Sequence, residues 1–340
     1  MTRPPVCARL PATTDRAIGD SRTQLSWPAI HLSGRVGLDR RRQRRLKVQR
    51  MDRVLITRGE IERVLADPSF QVVSVPSAGS GLAWLRSTVC RFTNGEVHAR
   101  RRALVEAELD RLVPAALCAD ARRRTDLVLD GAGGHLEVMG QVARAVPLAV
   151  LCSALGMTAD QLDGAVADAT LVGRGYLTGE QDAQVDAAVE RLVERLGRGR
   201  SEDSAAALAV LAQACEATAA LIGNALVLCA ERPELRGDVE GLLAQTLSSA
   251  APLRLMRRVS PDGQALVLDL EAASRNGAPG GRPLTFGSGL RPCPGEREAL
   301  ALAGGVIEAL LSRPVGVEEG VTYVDSPAFL LPDRILVTVP

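Results

Sequence analysis

A mainly helical fold with small β-sheets is the class the sequence predicts, and three observations predict it. Apolar residues recur at helical spacing through most of the chain from residue 95 to 311. Strand-like alternation is confined to short stretches near residue 54, at "ALVLDLEAAS" and in the tail "AFLLPDRILVTVP". Residues 204–230 form one long run that is apolar nearly all round, the pattern of a helix buried in mid-domain. With aromatics at only 2% of 340 residues, the core has to be built from Leu, Val and Ala.

The elements follow in order. Residues 1–50 are rich in Pro, Thr and Arg and read as a weakly ordered N-terminal arm, leaving 51–340 as a single domain. The basic run "DRRRQRRLKVQR" at 39–50 reads as a solvated helix or arm, with a docking patch for an acidic partner as the other reading. "RVLITRGEIERVLADPSF" reads as a short strand at Val54–Ile56, a break at Gly59 and a helix with Ile61, Val64 and Leu65 on one stripe. "NGEVHARRRALVEAELDRL" reads as an amphipathic helix after an Asn-Gly start. Further helices are expected from 117 to 197, broken at Gly131–Gly134, Gly156 and Gly173–Gly175. In the last of them Val185, Val189, Leu192, Val193 and Leu196 share a stripe. After the long helix come a helix over "ERPELRGDVEGLLAQTL", a Gly/Pro loop at 277–283 and a helix over "EREALALAGGVIEALLSR". No internal repeat is found.

The bulk numbers exclude several classes. A net charge of +1 gives no basic field for nucleic acid or an anionic membrane. So few aromatics leave no stacking platform for single strands. No run of about 18 apolar residues is read as a membrane span, and "MTRPPVCARLPATTDRAIGD" has no apolar signal core, so a cytoplasmic protein is expected. The seven cysteines are odd in number and contain no C-x-x-C pair; most read as reduced, buried small hydrophobes.

Cys293 is different. It lies in "LTFGSGLRPCPGE", among glycines, Phe286 and Arg291. Metal clusters normally bring several Cys or His ligands together, and His31, His98 and His135 are far away in sequence. A single thiolate suits heme iron, whose other ligands come from a macrocycle; a nucleophile is the other option, though no paired base is evident. Gly287 and Gly289 permit a tight bulge with positive φ whose N–H groups can face the sulfur. Phe286 is placed to shield the sulfur, Arg291 to meet a carboxylate such as a heme propionate, and Pro294 and Gly295 to open the next helix. Glu216 is the only charge within 204–230, and a lone buried carboxylate is costly unless paired or wetted.

Phe286-Gly287-x-Gly289-x-Arg291-x-Cys293-x-Gly295 resembles the heme-binding signature of the cytochrome P450 family. The likeness extends over roughly residues 53–340. "GEVHARRRALV" resembles the heme-facing helix, with His98 and Arg102 as propionate ligands four residues apart. "RRVSPDG" resembles the segment that supplies another propionate Arg, assigned to Arg258 with Arg257 as the alternative. "EATAALIGNALVL" resembles the long helix over the heme. The resemblance implies heme b with Cys293 as metal ligand, a small-molecule substrate, a ferredoxin-type redox partner and a bacterial setting in secondary metabolism.

Three departures stand out. The family's acid is followed directly by a Thr; Glu216 matches the acid, but Ala217 follows it and Thr218 comes one place late. One residue turns a helix by about 100°, so Thr218 is a poor substitute. Gly241 and Ala244 occupy the positions of the family's Glu-x-x-Arg pair. The link from Asn276 to Phe286 is far shorter than the family's meander. Two readings follow. One is a heme-thiolate enzyme that acts on a small apolar or natural-product substrate by oxidation, coupling or cyclisation rather than routine hydroxylation, with Cys293, Glu216, Ala217 and Thr218 at the reacting centre. The other is a heme-free helper subunit whose partner is a biosynthetic enzyme such as a glycosyltransferase.

Overall fold

The computed structural model describes residues 53–179, 182–275 and 282–339. The arm assigned to 1–50, the basic run within it and most of the Gly/Pro loop lie outside the described residues. β1 (Arg53–Leu55) leads into α1 (Arg58–Ala66), which buries Ile61, Val64 and Leu65 as expected. Gly59 does not break this helix: it sits in the first turn, behind a Thr57 cap that accepts from the Glu60 N–H. Then come α2 (Gly81–Thr88), a 3₁₀ turn at Cys90–Phe92 and α3 (Gly95–Leu109). α3 buries only Val105, Glu108 and Leu109, so its first half is not an apolar face. That half carries cations toward the site described below.

α4 (Pro114–Gly131) ends at the predicted glycines, and β2 (His135–Glu137) precedes a π-helical segment at Met139–Arg144 that continues as α5 (Ala145–Ala154). α6 (Leu162–Thr178) runs straight through Gly173 and Gly175, which sequence reading takes as a break. These glycines serve packing. A Cβ at Gly173 would stand 2.5 Å from Cys215 Cβ, and one at Gly175 would stand 2.9 Å from Val185. α7 (Ala183–Leu196) buries Val185, Val189, Leu192 and Val193, and ends on Gly197 at φ +65°.

α8 (Glu202–Glu231) threads the middle of the principal core. It is long and apolar enough to pass for a membrane span, contrary to the sequence reading. However, 83% of its apolar window is buried inside the protein, as a central core helix requires. α9 (Val239–Ser249) starts later than expected, because Pro233–Leu235 forms a separate 3₁₀ turn and Asp238 caps the helix through the Gly241 N–H at 3.1 Å. β3 (Leu255–Val259) pairs antiparallel with β4 (Ala265–Asp269), which pairs parallel with β1. The strand read through "ALVLDLEAAS" stops at Asp269, whose side chain accepts from the Ala272 N–H and starts α10 (Leu270–Arg275). α11 (Glu296–Leu311) lies along α4, close enough that a Cβ at Gly305 would stand 3.0 Å from the Cys118 carbonyl carbon. The chain closes with β5 (Gly316–Val317), β6 (Thr322–Tyr323), β7 (Pro332–Arg334) and β8 (Leu336–Thr338). β8 sits between β2 and β5, and β6 pairs with β7.

Cys90, Cys152, Cys215 and Cys229 are free and buried. Cys118 is disulfide-bonded, which the sequence reading did not anticipate.

Candidate functional site

The loop around Cys293 is built by backbone approach. Gly287 and Gly289 take φ of +70° and +65°, a region that costs other residues about 1–2 kcal/mol. The Gly287 amide is not free to face the sulfur, contrary to the expectation from sequence: it donates to the Leu284 carbonyl at 2.8 Å. The amide that does reach the thiol is that of Gly295. The Cys293 N–H donates to the Phe286 carbonyl at 2.6 Å, and the Leu290 N–H donates to Leu65 at 3.0 Å. A Cβ at Gly289 would stand 2.5 Å from the Leu65 carbonyl carbon and 2.7 Å from the Ala66 nitrogen. Gly289→Ala is therefore expected to destabilise the protein by more than the roughly 1–2 kcal/mol of the left-handed backbone alone. A denaturant midpoint unchanged from wild type would contradict the close approach.

Two arginines tie this loop to the start of α3. Arg102 donates to the Pro292 carbonyl at 2.7 Å, and Arg291 donates to the Thr93 carbonyl and Asn94 Oδ1 at 2.8 and 3.0 Å. Asn94 is itself fixed, accepting from the Val72 N–H and donating to the Val72 carbonyl, each at 3.0 Å. Cys293 keeps its side chain open to solvent, unlike the other free cysteines. Burial of the thiol by the surrounding loop nonetheless pushes it above the usual range, with the Gly295 N–H acting against that shift. Pro294 precedes α11 rather than lying inside it, and Gly295 is the N-cap.

His98, Arg102, Arg258 and Arg291 are brought together around this opening. His98 is pushed down to about 4, first by burial and then by the charges of Arg291 and Arg102, with Arg258 also contributing. Arg258 is 9% exposed, donates to the Arg257 carbonyl at 2.8 Å, and is lowered to about 10 by burial and by Arg291 and Arg91. Arg258, not Arg257, is the buried member of the pair. Arg102 alone of the three arginines has a carboxylate partner among the described residues, Glu106 at 2.6 Å. Four cationic or protonatable groups thus converge with one partly exposed carboxylate to balance them.

This gives a pH prediction. Unfolded, His98 takes its proton near pH 6.5; folded, only near 4. Between those values the unfolded chain holds the extra proton, so stability falls as pH falls through the window. The stability of His98→Gln relative to wild type is expected to rise as thermal melts move from above pH 6.5 toward pH 4. A difference independent of pH would contradict the electrostatic crowding.

On α8, burial separates three neighbouring residues. Gln213, Ala214 and Ala217 are partly open within an otherwise buried helix and share one face. Glu216 and Thr218 are 3% and 1% exposed and turn away from that face on either side. The Glu216 carboxylate is held by Arg144 Nε at 3.0 Å to both oxygens, with Arg174 at 3.5 Å. The lone charge of the sequence reading is therefore a paired one, and Thr218 Oγ1 has no hydrogen-bond partner. At the positions of the missing Glu-x-x-Arg, Gly241 is half-buried and Ala244 exposed, so no orphaned charge is left behind.

Sequence reasoning missed Arg91, Arg86, Tyr176 and Asn94. The first three are spread over α2, the 3₁₀ turn and α6, and only tertiary packing brings them together. Among the described residues no group of three or more His, Cys, Asp or Glu side chains could hold a metal ion.

No protein-family profile matches the sequence, and neither does any curated protein sequence. Solved structures do match. Ligand-free cytochrome P450 TbtJ1 aligns with a TM-score of 0.71 at 16% identity, over 84% of this chain and 91% of that one. The cytochrome P450 enzyme CxnD, for C–S bond formation in chuangxinmycin biosynthesis, aligns at 0.70 and 17% identity, over 84% and 88%. Mycobacterium smegmatis CYP164A2 in its ligand-free state aligns at 0.67 and 20% identity, over 84% and 90%. The resemblance read from the cysteine loop and the backbone arrangement agree: this chain has the cytochrome P450 fold, in a shortened form.

Proposed function

We propose that the chain is a heme-thiolate oxidoreductase of the cytochrome P450 type, with heme b as cofactor. The observation that carries this is an exposed Cys293 in a loop that Arg102 and Arg291 tie to the start of α3, where His98 and Arg258 also gather. Both features fit the group. The Cys293 thiol is a soft ligand, and Arg258 and Arg291 have no carboxylate among the described residues, a place that two propionates would fill. When bound, heme supplies one-electron and oxygen chemistry at iron.

The chain's own residues then divide the work. Cys293 holds the metal, and the Gly295 N–H moderates the charge on its sulfur. Phe286, Gly287 and Gly289 fix the loop. Arg258, Arg291, Arg102 and His98 bind the carboxylates. Ala217 lines the open face, where the hydroxyl expected from the family is absent. Glu216 fixes the helix through Arg144 rather than passing protons, and Thr218 stays buried. Proton delivery from this chain is thus weak. That favours coupling, cyclisation or oxidation with substrate-borne protons over routine hydroxylation of a small natural-product substrate, with a ferredoxin-type donor for any electrons. CxnD, with its C–S bond formation, is a neighbour of that kind. Ala217→Thr is expected to raise oxygen-dependent turnover.

The heme-free helper reading leaves Arg258 and Arg291 crowded together with no carboxylate partner among the described residues, and no described feature favours it. Arg258→Ala and Arg291→Ala test the assignment. Each is expected to weaken heme retention roughly tenfold or more, the value of a charge-assisted hydrogen bond. Full occupancy in both, measured by transfer of heme to apomyoglobin, would remove these arginines from the role.

A further inference from the structure

Arg86 and Arg91 are left over once the cations around Cys293 are assigned. Arg86 stands on α2 and Arg91 in the 3₁₀ turn, and both converge on two rings. Arg86 Cζ lies 4.8 Å from the Phe92 centroid, and Arg91 Cζ lies 5.8 Å from those of both Phe92 and Tyr176. The rings are 5.5 Å apart at 47°. Among the described residues no ion pair involves either guanidinium. Two polar atoms of the cluster are buried without a hydrogen bond: Tyr176 Oη and Arg86 Nε. Tyr176 is only 1% exposed.

A buried hydroxyl and guanidinium nitrogen are rarely left unsatisfied, because each carries the full cost of desolvation. Stacking on aromatic faces steadies the guanidinium planes but leaves their in-plane N–H donors unused. Two guanidinium forks and one hydroxyl, with no carboxylate partner among the described residues, make a donor set for a planar anion.

The cluster's position gives that anion a role. α2, the 3₁₀ turn and α6 meet here, and α8 packs against both α2 and α6. The charge of Arg91 reaches Arg258 as well as Tyr176, so the cluster adjoins the cations gathered about His98. The open face of α8 is apolar at Ala214 and Ala217.

We infer that Arg86, Arg91 and Tyr176 bind a carboxylate carried by the substrate, while the Ala214 and Ala217 face of α8 receives its hydrocarbon body. The substrate is then an amphiphilic acid rather than a wholly apolar molecule. The inference takes from the heme-thiolate reading only which face is the substrate's.

Isothermal titration of the protein as purified tests it, with decanoate, benzoate and acetate against their methyl esters. At least one carboxylate is expected to bind more tightly than its ester. In Arg86→Gln/Arg91→Gln that affinity is expected to fall by tenfold or more, with the ester unaffected, and Arg91→Lys is expected to retain part of it. Tyr176→Phe is expected to weaken the carboxylate roughly three- to tenfold without lowering the melting temperature, because the hydroxyl has no partner in the free protein. Esters that bind as well as acids, no binding of any carboxylate, or a double variant that loses stability but not affinity would overturn the proposal. The readout is heat of binding, so it stands apart from the heme reading: a colourless protein that still binds carboxylate through Arg86 and Arg91 would refute the cofactor and keep this site.

Discussion

Replacing Cys293 with Ser is expected to abolish the thiolate-type Soret band while the protein stays folded. Cys293 is exposed, unlike the other free cysteines, and is not a member of the buried core clusters. The loop is held instead by backbone contacts that Ser keeps: Cys293 N–H to Phe286, Leu290 N–H to Leu65, and Arg102 to the Pro292 carbonyl. Serine changes one atom, and with it the soft, charge-donating ligand that a thiolate provides. Circular dichroism and melting temperature are expected to match wild type. A variant with the wild-type spectrum would show that some other group is the axial ligand.

Glu216→Ala is expected to cost about 3–5 kcal/mol of stability. Arg144 is 4% exposed, and its guanidinium meets both Glu216 oxygens at 3.0 Å. Removing the carboxylate leaves a buried cation without a counter-ion, which is the expensive half of breaking such a pair. Removing both partners together is different. Glu216→Leu/Arg144→Met is expected to lie much closer to wild type, because no orphaned charge remains. Urea denaturation of Glu216→Leu, Arg144→Met and the double variant measures the coupling. Additive single effects would mean the pair does not act as a unit, and full stability in Glu216→Ala would return the carboxylate to the list of candidate proton donors.

The cysteine loop was legible in the sequence because its requirements are local. Positive φ at Gly287 and Gly289, a cation at Arg291 and a thiol at Cys293 are all set within a few residues. His98 and Arg102 were legible for the same reason, one helical turn apart. The long central helix announced itself by being apolar on every face. What sequence could not show was which face of that helix stays open, and hence that Glu216 and Thr218 turn aside while Ala217 does not. Nor could it show that Arg144, far away in the chain, neutralises Glu216. Gly173 and Gly175 look like helix breakers in one dimension, yet they are contact points for Cys215, Val185 and Leu82 in three. Arg86, Arg91 and Tyr176 lie on separate elements and share no spacing that a pattern could catch.

The measurement that tests the central claim most directly is the visible spectrum of the purified protein, reduced with dithionite, with and without carbon monoxide. The account predicts the long-wavelength Soret band that a thiolate ligand gives to carbon-monoxide-bound ferrous heme. A protein that stays colourless after growth with a heme precursor, and after incubation with hemin, would contradict it.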